Sequence, residues 1–184
     1  MGWHRISAMA DLTPTAPRVW KRMTFEQRQR AALAFWRDDS IAADQAQAVQ
    51  LIAKDKKFRP KTIAGLDAEG KARHLAGVGT LPENIATRLL IVYHLAEQRP
   101  MMGAFLDALG IAHENGLIQD SDSTPDPAKL GPAIATLTAA YPAADVSLYL
   151  DTLLCHDPQT WGALAVSLRP PEAAAPATDA RPRS

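Results

Sequence analysis

The chain has 184 residues, of which 47% are apolar. That is long enough for one folded domain with its own core and too apolar for a disordered protein. Basic and acidic residues balance at 20 each, so no net charge directs the whole chain to nucleic acid or to a membrane surface. A single cysteine, Cys155, excludes an internal disulfide framework.

The absence of a continuous apolar run in residues 1–22 argues against a secretory signal and, with the lone cysteine, predicts a cytoplasmic protein. The charge is nevertheless uneven along the chain. Residues 1–75 carry 14 basic and 8 acidic side chains, and residues 76–184 carry 6 and 12. This asymmetry could attract a charged partner, but we favour the simpler interpretation that the two halves pack on each other and partly offset their charges.

Prolines divide the chain into short helices. Alanine and leucine dominate the composition, and no run of alternating β-branched residues predicts a sheet. Proline fits the first turn of a helix and disrupts a helix interior. The pattern predicts an all-α fold, a single irregular bundle of about seven or eight short helices. The prolines that start or stop these helices are Pro60, Pro82, Pro100, Pro127, Pro132, Pro142 and Pro158.

We expect a disordered arm at 1–22, a helical domain at 23–168 and a disordered tail at 169–184. A capping box from Thr24 to Gln27 starts the first helix, which ends near residue 37. A second helix follows at 41–54, then a basic linker at 54–61. Asp67 caps a short helix that ends near Ala76.

The clearest helix, 82–98, is apolar around most of its circumference and should therefore be the central, buried element. A further helix is predicted at 100–109. In residues 111–118, Asn115-Gly116 indicates either a helix-capping turn, which we favour because the flanks are short, or a small hairpin. Later helices are predicted from Pro127, with a kink or restart at Pro132, and at 143–155 and 158–166.

Four side chains near the Pro100 elbow form the one candidate ligand site. His94, Arg99 and His113 could line a pocket with Met102 as an adaptable apolar wall, and Arg99 could clamp a small carboxylate or phosphate. The simpler interpretation is that His94 is a core histidine with a hydrogen-bond partner. No catalytic residue, metal site or cofactor is predicted, and whether the protein is an enzyme stays open.

The basic linker is the candidate nucleic-acid site, with cations for phosphates and Phe58 for stacking on a base. The alternative is an ordinary solvated linker, which we favour because Asp55 interrupts it. Its cations are Lys54, Lys56, Lys57, Arg59 and Lys61.

The absence of a catalytic motif, the charge asymmetry and a possible methionine-rich surface at Met101 and Met102 favour a non-catalytic protein-interaction module. We expect its partner to be another protein or a second copy. A small-ligand or cofactor-binding protein, possibly an enzyme, is the alternative, and nucleic-acid binding is the least favoured. No membrane association is expected, because the most apolar stretch is too short to span a bilayer.

Overall fold

The computed structural model describes residues 14–120 and 122–168. In these residues the chain forms eleven α-helices, one 3-10 turn at Asp39–Ile41 and one two-stranded hairpin, which confirms the all-α prediction. The helices are α1 Ala16–Arg22, α2 Phe25–Arg37, α3 Ala42–Lys56, α4 Pro60–Ala64, α5 Ala68–Ala76, α6 Glu83–Glu97, α7 Arg99–Leu109, α8 Pro127–Ala140, α9 Ala143–His156, α10 Pro158–Trp161 and α11 Leu164–Ser167. The strands are β1 His113–Glu114 and β2 Leu117–Ile118.

Helix α1 belongs to the folded body, so the prediction of a disordered arm is wrong for Ala16–Arg22. Val19 and Trp20 are buried in the core. The Ala16 N–H donates to Oε1 of Glu83 at 2.9 Å, and Arg22 pairs with Asp151. Seven residues are too few for a stable helix in isolation, and tertiary contacts therefore supply the stability that the local sequence does not indicate. Residues 1–13 and the predicted tail at 169–184 lie outside the described residues.

The capping box predicted at the start of α2 is present: Thr24 accepts from the Gln27 N–H, and the Gln27 side chain accepts from the Thr24 N–H. Asp67 caps α5 as predicted, by accepting from the Gly70 N–H at 2.7 Å. The prediction of a linker at 54–61 is wrong. Helix α3 continues to Lys56, only three residues follow it, and α4 begins at Pro60, where proline is favoured because the first turn needs no N–H donor.

Helix α6 is the central element that the sequence predicts. It packs against α1, α2, α7 and α9, and its apolar residues are buried on several sides. The buried side chains form two clusters. The first core contains residues from α1 to α6 and Leu148 of α9, and the second core contains residues from α7 to α11. Helices α6 and α9 therefore meet where the two cores adjoin.

Two local predictions are wrong. Residues 113–118 form a hairpin rather than a capping turn: Asn115 and Gly116 both have positive φ, at 51° and 83°, as a tight two-residue hairpin turn requires. Helix α8 also continues through Pro132, so the helix does not restart there. Burial of Leu130 and Leu137 in the second core outweighs the loss of one backbone hydrogen bond. None of the described helices is both long and apolar enough for a membrane span.

Candidate functional site

A cavity of about 230 Å³ lies where the two cores meet. Helices α6, α7 and α9 and the hairpin form its wall, and we call it the junction cavity. The wall is almost entirely apolar, and the described residues place no carboxylate, lysine, arginine or thiol on it. The lining residues are Ile91, His94, Leu95, Met102, Leu106, Gly116, Leu117, Ile118, Tyr149, Thr152, Leu153 and His156.

His94 is the most deeply buried polar group at this cavity, with 2% of its surface exposed. Its Nε2 lies 3.0 Å from Oγ1 of Thr152, and that hydroxyl lies 2.8 Å from the carbonyl oxygen of Leu148. The hydroxyl has one proton, which it donates to the carbonyl, so it accepts from Nε2–H of the imidazole. This chain of hydrogen bonds assigns the neutral Nε2–H tautomer to His94 and supports the interpretation of a core histidine that has a partner.

The environment of His94 keeps the imidazole uncharged. Burial lowers the pKa of His94 from 6.5 to about 4, and the nearby Leu148 carbonyl opposes this shift without cancelling it. The rings of Tyr93 and Tyr149 each lie with their centroids 5.3 Å from the imidazole. Burial also raises the pKa of Tyr149 well above its ordinary value, so this phenol stays neutral. The His94 imidazole is therefore an uncharged part of the cavity wall.

The hairpin closes one side of the cavity and is held in place by Arg99 and His113. The Arg99 guanidinium donates to the carbonyl oxygens of Leu95 and Asn115, at 2.7 and 3.3 Å. Nδ1 of His113 accepts from the Gly116 N–H at 3.2 Å, and Nε2 lies 3.1 Å from Oδ1 of Asp107. These contacts fix β1 and β2 against α7.

Of the four residues predicted to share a pocket, the structure brings His94 and Met102 to the cavity wall. The prediction that Arg99 and His113 line that same pocket is wrong, because both side chains are directed to backbone and carboxylate groups around the hairpin. The Arg99 guanidinium donates hydrogen bonds to nearby carbonyl oxygens rather than lining a site for an anion. Met101 is fully buried, so the predicted methionine-rich surface contains Met102 alone.

Helix α9 supplies a wall that the sequence reasoning missed. Tyr149, Leu153 and His156 recur at spacings of four and three residues, which places them on one helix face. That spacing was visible in the sequence. This face packs against α6 through contacts between residues more than fifty positions apart. A local sequence pattern does not indicate such contacts.

Cys155, the single cysteine of the chain, is half-buried on α9. Its Sγ lies 3.0 Å from the carbonyl oxygen of Pro14. Burial, reinforced by the nearby carboxylates of Glu83 and Asp151, raises the pKa of Cys155 to about 12. The thiol is therefore protonated at neutral pH and a poor nucleophile.

The cations predicted to contact nucleic acid lie on a different surface, around the junction of α3 and α4. Lys54 and Lys56 are in the last turn of α3, Lys57 caps its C-terminus, Arg59 is the N-cap of α4 and Lys61 is in its first turn. The described residues contain no group of three or more histidine, cysteine or acidic side chains that could hold a metal ion.

Comparison with known proteins gives no match to a protein family, to a curated protein or to a solved structure. The function of the chain is therefore argued from its own geometry.

Proposed function

We propose that the chain binds a small apolar molecule in the junction cavity. The observation that supports this proposal is a preformed cavity of about 230 Å³ with an almost wholly apolar wall. Water in such a cavity finds few hydrogen-bond partners, and an apolar guest gains dispersion contacts and removes apolar surface from water.

The size of the cavity limits the ligand. A purely apolar cavity of about 150 Å³ holds benzene, so by volume one of about 230 Å³ has room for about nine non-hydrogen atoms. Indole is a soluble probe of that size. We expect it to bind with a dissociation constant on the order of 0.1 mM, which corresponds to about 5.5 kcal/mol and lies within the range known for ligands of this size.

Isothermal titration of the chain with indole tests the proposal. Leu153→Trp places a large ring in the cavity from α9 and should abolish the heat of binding. Leu168→Trp is the matched control, because Leu168 is 38% exposed and does not line the cavity. Loss of binding in the first variant alone supports the proposal. No saturable heat with the unmodified chain, or equal binding by both variants, refutes it.

Docking of a protein partner is the second candidate function, and the cavity rim favours it. Leu117 and Ile118 are 45% and 37% exposed beside the mouth, and a small ligand inside the cavity would leave part of both side chains in water. A partner segment that inserts one apolar side chain and lies over the hairpin would cover them. Binding of another protein, with no site assigned to it, is also the function that the sequence favours most.

Selection of peptides from a random display library on the immobilised chain distinguishes this function from small-ligand binding. Docking predicts enrichment of peptides with an apolar anchor, displacement of these peptides by indole and loss of their binding in Leu153→Trp. Failure to enrich any peptide that indole displaces would count against a protein partner at this site and would leave the indole titration unaffected.

A further inference from the structure

A second surface, separate from the cavity, is formed by the turn between α3 and α4. Lys57 is in the left-handed region, with φ at 57°, and reverses the chain. The Phe58 N–H donates to the Ala53 carbonyl at 2.9 Å, which closes the C-terminus of α3. Nζ of Lys56 donates to the Gly77 carbonyl at 3.3 Å and ties the turn to the end of α5. The turn is thus held at both sides rather than being a free linker.

Four exposed cations surround this turn without a carboxylate partner in the described part of the chain. Elsewhere on the surface Arg22, Arg30, Arg37 and Arg88 each pair with a carboxylate. At the turn, Asp55 pairs with Lys56 and with no other cation among the described residues. We call the four cations, together with Phe58, the basic corner; its cations are Lys54, Lys57, Arg59 and Lys61.

Phe58 gives the basic corner an exposed aromatic ring. It is 47% exposed, and the His74 imidazole on α5 contacts it edge to face, with centroids 5.9 Å apart. This contact orients the ring while about half of the side chain stays in solvent. Phe25 has similar exposure, but the guanidinium of Arg28 lies over its ring, 5.9 Å from the centroid.

From this arrangement we propose that the basic corner binds single-stranded nucleic acid, with its cations on phosphates and one base stacked on Phe58. Every base has a π-face, so a half-exposed ring among cations suits stacking without sequence preference. A duplex keeps its bases stacked on each other and would leave the ring unused. A membrane surface would require more apolar side chains at the corner than one phenylalanine.

Fluorescence anisotropy with a labelled oligothymidylate of about twelve nucleotides tests the proposal. Four phosphate contacts predict that the logarithm of the association constant falls with the logarithm of the salt concentration with a slope of about −3. Lys61→Glu should reduce the slope to about −2 and weaken binding at least fivefold. A glutamate at this position suits the N-terminus of α4, so the fold should tolerate the change.

Phe58→Ala should weaken binding by at least roughly fivefold with the slope unchanged, because stacking does not release counterions. Matched controls are Phe25→Ala for the ring and Lys21→Glu, at an exposed lysine on α1, for the charge; both should bind as the unmodified chain does. The proposal is overturned if no binding is seen at about 50 mM salt. It is also overturned if polyglutamate of equal charge competes as well as the oligonucleotide, or if Phe58→Ala impairs binding to anionic vesicles but not to the oligonucleotide.

Discussion

Acidification should destabilise the protein through His94, because the folded state resists protonation of this side chain. In the unfolded chain the imidazole takes up a proton near its ordinary pKa of 6.5, whereas burial lowers the pKa of His94 in the folded protein to about 4. Between these values the unfolded state binds more protons. The free energy of unfolding therefore falls as the pH falls from 6.5, and the loss is complete below about pH 4.

The size of this effect follows from the pKa difference. Each pH unit between the two values contributes about 1.4 kcal/mol, so the full range from 6.5 to about 4 corresponds to roughly 3 kcal/mol. Between about pH 6.5 and pH 5 the expected loss is about 2 kcal/mol. That is a large part of the 5 to 15 kcal/mol, roughly, that holds a typical domain together.

Urea unfolding, measured at intervals from about pH 7 to pH 5, gives the required free energies. His94→Gln removes the titrating group and keeps a polar side chain at the same position. The variant will be less stable overall, but its free energy of unfolding should change about 2 kcal/mol less across this range than that of the unmodified chain. The other described histidines contribute equally to both proteins, and the comparison therefore isolates His94.

Two results would refute this reasoning. Parallel pH dependence in the unmodified chain and in His94→Gln would show that His94 does not control stability. A pKa near 6.5 for His94 in the folded protein, measured by nuclear magnetic resonance, would show that the side chain reaches water despite its 2% exposure.

Three further predictions follow from local geometry. Gly116→Ala should lower the free energy of unfolding by at least about 1 kcal/mol in urea titrations. The reason is that φ at Gly116 is 83° and a new Cβ would lie 2.9 Å from Cβ of Met102. Unchanged stability would contradict the hairpin geometry. Cys155 should react with a thiol reagent at pH 8 only after denaturation, since burial raises its pKa to about 12, and rapid reaction of the folded protein would show an accessible thiolate. Trp20→Ala should lower the free energy of unfolding by roughly 3 to 5 kcal/mol, because α1 is part of the core. A loss below about 1 kcal/mol in the same titration would instead support the prediction that this segment is disordered.

The helical architecture could be predicted because local signals coincide with it. Prolines occupy the first turns of α4, α7, α8 and α10, and the Thr24 capping box marks the start of α2. The apolar circumference of α6 identified the central helix from residue types alone. These features act within one or two turns of the chain, which is the range over which a sequence pattern can be interpreted directly.

The failures arise where tertiary contacts overrule local preference. Helix α1 is short and is stabilised by Glu83 and Asp151, which are distant in sequence. Pro132 lies within a helix because burial of its neighbours compensates for the lost hydrogen bond. The prediction that Arg99 faces a ligand overlooked two carbonyl oxygens within its reach, and no sequence pattern announces such partners.

Only part of the candidate site could be predicted from the sequence, because tertiary contacts place the rest. His94 and Met102 were identified from their position near the Pro100 elbow, and both line the junction cavity. The wall supplied by α9 required knowledge that Thr152 lies beside His94, across 58 residues of sequence. Helix periodicity identifies such a face but does not indicate which helix covers it.

Intermolecular nuclear Overhauser effects between indole and the methyl groups of the chain test the binding proposal most directly. Occupation of the junction cavity predicts contacts from the indole ring protons to the methyl groups of Ile91, Met102 and Leu153, on three different helices. Contacts confined to exposed Leu168, or no contacts at indole concentrations that should saturate the site, would contradict it.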